Sequence, residues 1–148
     1  MTINLSIAQM QPNILPYLKT RYPGAKIDKI KQDKNGYTAG MTNNGKKCSV
    51  YFNRQGSWLR TETNLKWKTM PAATKVSLNR SQYAGWQVLD TKEEEIASTE
   101  TGRQTDTLYM FEVNNSSSLG DMRSLAQTSD KKIYFNAAGK LVKEEKIN

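Results

Sequence analysis

Apolar residues recur along the chain with two periods. Ile14, Leu15 and Leu18 stand at helical spacing between Pro12 and the Tyr22, Pro23, Gly24 breaker, which predicts a short helix over 12–21 with Pro16 confined to its first turn. Short alternating runs then predict strands near 26–31, 37–42, 47–53 and 57–63. The order repeats. Pro71 suits a helix start, Val76 and Leu78 supply the apolar contacts of a helix over 72–82, and Gly85 lies beyond its end. Strands follow near 86–92, 107–113, 131–136 and 140–146.

This recurrence is written into the residues. Val50, Tyr51, Phe52, Asn53 and Gly56 match Ile133, Tyr134, Phe135, Asn136 and Gly139 at a separation of 83. Tyr22, Pro23, Gly24 matches Tyr83, Ala84, Gly85 at 61, and Tyr37 to Met41 matches Tyr109 to Val113 at 72. The separation grows by 11 twice, so repeat two is repeat one with two lengthened connections. The chain reads as a single domain of two copies, 12–66 and 70–147. Asn43, Asn44, Gly45 predicts a tight hairpin turn, because Asn and Gly tolerate positive φ. The corresponding corner of repeat two expands into 114–130, and a second enlarged corner falls at 97–106. In a meander these two corners belong at opposite ends of the sheet. Neutral insertion and a functional role both remain open for them.

Antiparallel pairing across the Asn, x, x, Gly turn sets the faces. If Phe52 opposes Ser57, then Tyr51 opposes Trp58 and Val50 opposes Leu59; likewise Tyr134 opposes Leu141 and Ile133 opposes Val142. Val50, Phe52, Leu59, Ile133, Phe135 and Val142 then form the floor beneath the helices. Tyr51, Trp58, Arg60, Tyr134, Leu141 and Lys143 occupy the other face. Aromatic and basic groups there suit a binding surface, while a purely structural cross-strand pair of Tyr51 and Trp58 is the competing reading. A bulge at either turn would exchange the faces.

Composition narrows the chemistry. Across 148 residues, 22 Lys and Arg face 14 Asp and Glu, for a net charge of +8 without histidine. Residues 1–69 hold 12 basic and 3 acidic groups, whereas 70–148 hold 10 and 11. That asymmetry favours an acidic partner for the first half, with solubility as the plainer explanation. Trp67, between Lys66 and Lys68, suits either an anionic contact or packing at the joint of the repeats. Trp86 reads as core filling.

Cys48 has no histidine to activate it and no second cysteine to pair with, so it reads as a buried thiol. Glu93, Glu94, Glu95 reads as a solvated charge run rather than a metal site. Phosphate loop, dinucleotide fingerprint and nucleophile elbow are missing from the sequence, so neither an enzyme nor a cofactor is expected. No apolar stretch is long enough for a membrane-spanning helix, and Met1 to Gln11 lacks the pattern of a signal peptide.

Tyr22, Pro23, Gly24, Ala25 after a helix, with Val50, Tyr51, Phe52 and then Gly56, Ser57, Trp58, repeated in weaker form, resembles the PepSY-like family of Bacteroidetes, which is similar to the β-lactamase inhibitory protein. The resemblance covers about residues 12–147. It implies an α+β fold in which two tandem helix-plus-antiparallel-meander repeats form one curved antiparallel sheet, with helices on the convex face and an open concave face. It also implies export to the periplasm or cell surface. Repeat two departs at Ala84 and Leu141, where repeat one has Pro23 and Trp58, and the disulfides of the inhibitory protein have no counterpart. β-Lactamase inhibition is therefore not carried over.

The functional expectation is a non-catalytic binding module that engages a protein or peptide through the concave face, with Tyr51, Trp58, Arg60, Trp67 and Tyr134 as candidate contacts. The alternative is binding of nucleic acid or another polyanion by the basic first repeat. Export disfavours nucleic acid.

Overall fold

The computed structural model describes residues 3–4, 12–100, 102–115 and 130–147. The expected corner 114–130 thus lies mostly outside the described residues.

Among the described residues, nine strands and two helices form in the order β1 (Ile3–Asn4), α1 (Ile14–Arg21), β2 (Lys26–Asp33), β3 (Gly36–Asn43), β4 (Lys46–Phe52), β5 (Trp58–Asn64), α2 (Ala72–Asn79), β6 (Gln87–Ala97), β7 (Thr105–Asn114), β8 (Asp130–Phe135) and β9 (Leu141–Ile147). A 3-10 turn spans Trp67–Thr69. The fold is α+β. Its strands follow chain order in an antiparallel sheet, as hairpin connections require. Contacts divide the chain into two compact units, one of residues 1–64 and 95–106 and one of 65–94 and 107–148.

In the first unit, Ile14 and Leu18 lie one helical turn apart and are buried against Ile30, Ala39, Met41, Val50 and Phe52. Each such burial contributes about 1.5–3 kcal/mol. Lys19 and Arg21 sit in the last turn of α1, where cations complement the helix dipole. Pro16 falls in the first turn of this helix, where its missing N–H leaves no helical bond unmade.

In the second unit, Leu78 of α2 packs with Phe111, Val113, Ile133 and Phe135. Val76, expected to face this core, is exposed instead, and Thr74 takes the buried position while donating its hydroxyl to the Pro71 carbonyl. The buried pairs Ile14/Leu18 and Thr74/Leu78 are 60 residues apart, so the helices match at 60 rather than at the 61 of the following tyrosines.

Asn44 and Gly45 adopt φ of 53° and 78°, and Asn43 pairs with Lys46, which is the two-residue turn expected there. The last hairpin of each unit departs from expectation. Asn53 accepts on its side-chain oxygen from the N–H groups of Gln55 and Ser57, and Asn136 does the same for Ala138 and Lys140. These turns place Phe52 opposite Trp58 and Phe135 opposite Leu141, after which a bulge inserts one residue. Leu59 and Val142 are those extra residues. Tyr51 then opposes Arg60, and Tyr134 opposes Lys143.

The bulge corrects the expected faces at two positions per repeat. Trp58 and Leu141 move to the helix side, and Leu59 and Val142 are exposed rather than part of the floor. Arg60 and Lys143 stay with the tyrosines, because the turn and the bulge each shift the register by one residue in the same sense, and a total shift of two preserves the alternation. A further correction concerns Glu93, Glu94, Glu95: they belong to β6, and Glu94 is 3% exposed rather than solvated.

Candidate functional site

The pleat of the first unit builds the face opposite α1 in cross-strand rows. One row runs Lys31, Thr38, Tyr51, Arg60, and the next runs Lys29, Gly40, Ser49, Glu62. A third carries Lys26, Thr42 and Lys47. Thr38, Gly40, Ser49 and Thr42 keep the floor low around Tyr51, and the long cationic side chains stand beside it. The stem of Lys29 passes 3.8 Å from where a β-carbon on Gly40 would stand.

Tyr51 is the centre of this face. The Arg60 guanidinium lies 3.8 Å from its ring centroid, and its hydroxyl donates to Glu62 Oε1 at 2.7 Å. Burial, then the hydrogen bond to Glu62 and the charge of that carboxylate, push the phenol up to about 12 against the opposing pull of Arg60. Lys29 beside Lys31 lowers the pKa of Lys31, the signature of two cations crowded together. Asp28 partly offsets the charge, accepting from Thr42 at 3.1 Å and lying 3.6 Å from Lys47.

The same triad recurs at a spacing of 83. Lys143 lies 4.4 Å from the Tyr134 ring centroid, and the Tyr134 hydroxyl donates to Glu145 Oε1 at 2.9 Å. Tyr134 is nevertheless only 3% exposed, and Met110 opposite it is buried together with Leu108. Among the described residues, the second unit therefore offers no accessible tyrosine on this face.

Of the five residues expected to contact a partner, the structure joins Tyr51 and Arg60. Trp58 lies on the α1 side, stacked on Tyr17 with centroids 6.5 Å apart and planes 21° apart, its Nε1–H donating to Thr61 Oγ1 at 2.9 Å. Trp67 belongs to the other unit, edge-on to Phe111 at 5.6 Å and under the Lys75 ammonium, though 42% exposed. Trp86 fills the core edge-on to Tyr83, and Cys48 is buried.

Sequence reasoning missed Glu62, Glu145, Lys29 and Lys31. The offset of 83 already links the two glutamates, and strand alternation places both lysines with Tyr51. No cluster of three or more metal-ligating side chains occurs among the described residues. No helix among them is long and apolar enough to cross a membrane.

The sequence matches the family described as "Putative beta-lactamase-inhibitor-like, PepSY-like" over residues 1–47 and 37–143. The chain belongs to this family. A BLIP-like protein of Bacteroides fragilis is 25% identical, with a TM-score of 0.68 over 93% of this chain and 86% of that one. A DUF2874 family protein of Bacteroides ovatus is 21% identical, with a TM-score of 0.71 over 93% and 88%. A protein of Bacteroides eggerthii described as "putative periplasmic" is 20% identical, with a TM-score of 0.68 over 93% and 89%. No match is found among curated proteins.

Proposed function

We propose that the chain is an exported, non-catalytic binding protein that engages an acidic protein or peptide through the first unit's sheet face. The observation that carries this reading is the set of rows around Tyr51, where Lys26, Lys29, Lys31, Lys47 and Arg60 outnumber Asp28, Asp33 and Glu62. Cationic side chains over a small-residue floor complement an anionic surface and steer its approach. A structural neighbour described as "putative periplasmic" supports export. Tyr51, held by Arg60 and Glu62, supplies a rigid aromatic contact at little cost in entropy.

The test is recovery of envelope proteins on the immobilised chain, comparing the wild type with Tyr51→Ala plus Arg60→Glu. The expected outcome is loss of a salt-sensitive, acidic partner. Unchanged recovery by a variant that keeps its circular dichroism spectrum removes the proposal.

A second reading, binding of an anionic polymer, is favoured by the rows that set Lys26, Lys29, Lys31 and Lys47 on one face of the first unit. It expects retention on heparin that falls steeply with salt. Failure to bind heparin at low ionic strength eliminates it.

A further inference from the structure

On the helix side, the two units differ where the last strand meets the helix. In the first, Phe52, Tyr17 and Trp58 form a continuous aromatic cluster: Tyr17 lies edge-on to Phe52 at 5.7 Å and stacks on Trp58. Trp58 Nε1–H donates to Thr61 Oγ1, which also meets the Tyr22 hydroxyl at 2.6 Å.

The second unit keeps the frame and omits the filling. Phe135 replaces Phe52 as floor, and Tyr83 replaces Tyr22. Matched through the buried helix positions, Ser77 stands for Tyr17, and Leu141 stands for Trp58. Two aromatic rings become a hydroxymethyl and an isobutyl group. A pocket of about 460 Å³ opens there, lined by Ser77, Arg80, Ile133, Phe135, Leu141 and Glu144 among others. That volume falls within the roughly 300–1,000 Å³ of small-ligand sites.

The hydrogen-bonding frame survives as well. Glu144 stands where Thr61 stands in the first unit, and it accepts from the Tyr83 hydroxyl just as Thr61 meets Tyr22. A carboxylate has two oxygens and about four acceptor positions, so one phenol does not exhaust it. Its charge selects a donor, and Arg80 at the rim offers a cation to an aromatic face.

We propose that this pocket binds an indole, seated over Phe135 with its ring N–H donating to Glu144, in the place that Trp58 fills in the first unit. The site is separate from the sheet face around Tyr51 and does not rest on the function proposed for that face.

The experiment titrates the full chain with indole and with N-acetyl-tryptophanamide, following backbone amide shifts and heat. Saturable binding is expected, with shifts centred on Ser77, Gly139 and Leu141. If the amide binds at least as tightly as indole, the natural source is a tryptophan of a polypeptide; if indole alone binds, it is a free indole compound. N-methylindole is expected to bind about threefold to tenfold more weakly, since it cannot donate to Glu144. Leu141→Trp supplies the ring internally and is expected to weaken indole binding at least about tenfold.

Absence of saturable binding up to the solubility limit of both probes overturns the proposal. So does equal affinity for N-acetyl-leucinamide, or unaltered indole binding by a folded Leu141→Trp variant. Because the N-methyl comparison needs no mutation, the inference stays testable if that variant fails to fold.

Discussion

The first unit closes its helix–strand junction with Tyr17 stacked on Trp58, whereas the second has Ser77 and Leu141 at the matching places and a pocket between them. On the opposite side the relation reverses. The first unit spreads lysines over an accessible face, while the second buries Leu108, Met110 and Tyr134. Both keep the tyrosine, cation and glutamate triad. The shared parts are thus those that fix the register of the last hairpin, and divergence is confined to what each side of the frame presents to a partner. A duplicated scaffold can carry two unlike sites when its hydrogen-bonded strands stay constant and the side chains at one turn change volume.

Core truncation gives the largest expected effect. Phe52→Ala should cost about 3–5 kcal/mol, and Phe135→Ala less, because truncation at Phe135 enlarges an existing pocket rather than creating a new closed cavity. Urea unfolding of both variants checks this; equal losses would break the contrast between a filled and an open junction.

Next is Trp58→Leu, which imposes the second unit's residue on the first. Losing the stack with Tyr17 and the bond to Thr61 should cost about 2 kcal/mol, visible as a lower midpoint at unchanged m-value. A neutral outcome would mean that the aromatic cluster does not support the first unit.

Gly139→Ala should be destabilising by about 1–2 kcal/mol through its backbone conformation alone. Gly139 has φ of 87°, and a β-carbon there would stand 2.6 Å from Ser77 Oγ and 2.7 Å from the Ala73 carbonyl oxygen. Thermal melts compare this variant with Gly45→Ala, whose β-carbon meets nothing within 4 Å. A larger loss at Gly45 would refute close packing of the turn on α2.

The smallest effects sharpen the comparison of the triads. Tyr51 should ionise near pH 12 by ultraviolet absorbance. Its folded value lies above the ordinary 10, so the stability it contributes is complete below pH 10 and is lost as pH rises from 10 to 12. Glu62→Ala removes both the hydrogen bond and the charge and should bring the titration down toward 10; no movement would deny the Tyr51–Glu62 bond its role. Arg60→Ala should cost about 0.5–1 kcal/mol and Lys143→Ala less, following their distances of 3.8 and 4.4 Å from the rings.

The duplication was legible because its markers are residues with few conformational substitutes. Asn53 and Asn136 bond their own turns, glycines take positive φ, and the apolar alternation of Val50, Phe52 and Ile133, Phe135 fixes which side meets a helix. Tyr51 and Arg60 could be placed together for the same reason. Trp58 could not, because pairing counted outward from a turn assumes an unbroken ladder, and a single inserted residue reverses every later side chain until a second shift restores it. The exposure of Tyr134 also escaped the sequence: alternation assigns it a face without saying that Leu108 and Met110 share it and that all three are buried.

The sequence by itself determined the order of elements, the two copies and the uneven distribution of charge, since these follow from local periodicity, turn chemistry and composition. Tertiary structure decided which aromatic groups are accessible, which glutamates hold the tyrosines, and that Leu141 and Ser77 border a pocket at the places where Trp58 and Tyr17 stack in the first unit. Those outcomes depend on bulges and on side-chain volumes meeting across distant segments, and free space is a property of the packed chain rather than of any residue in it.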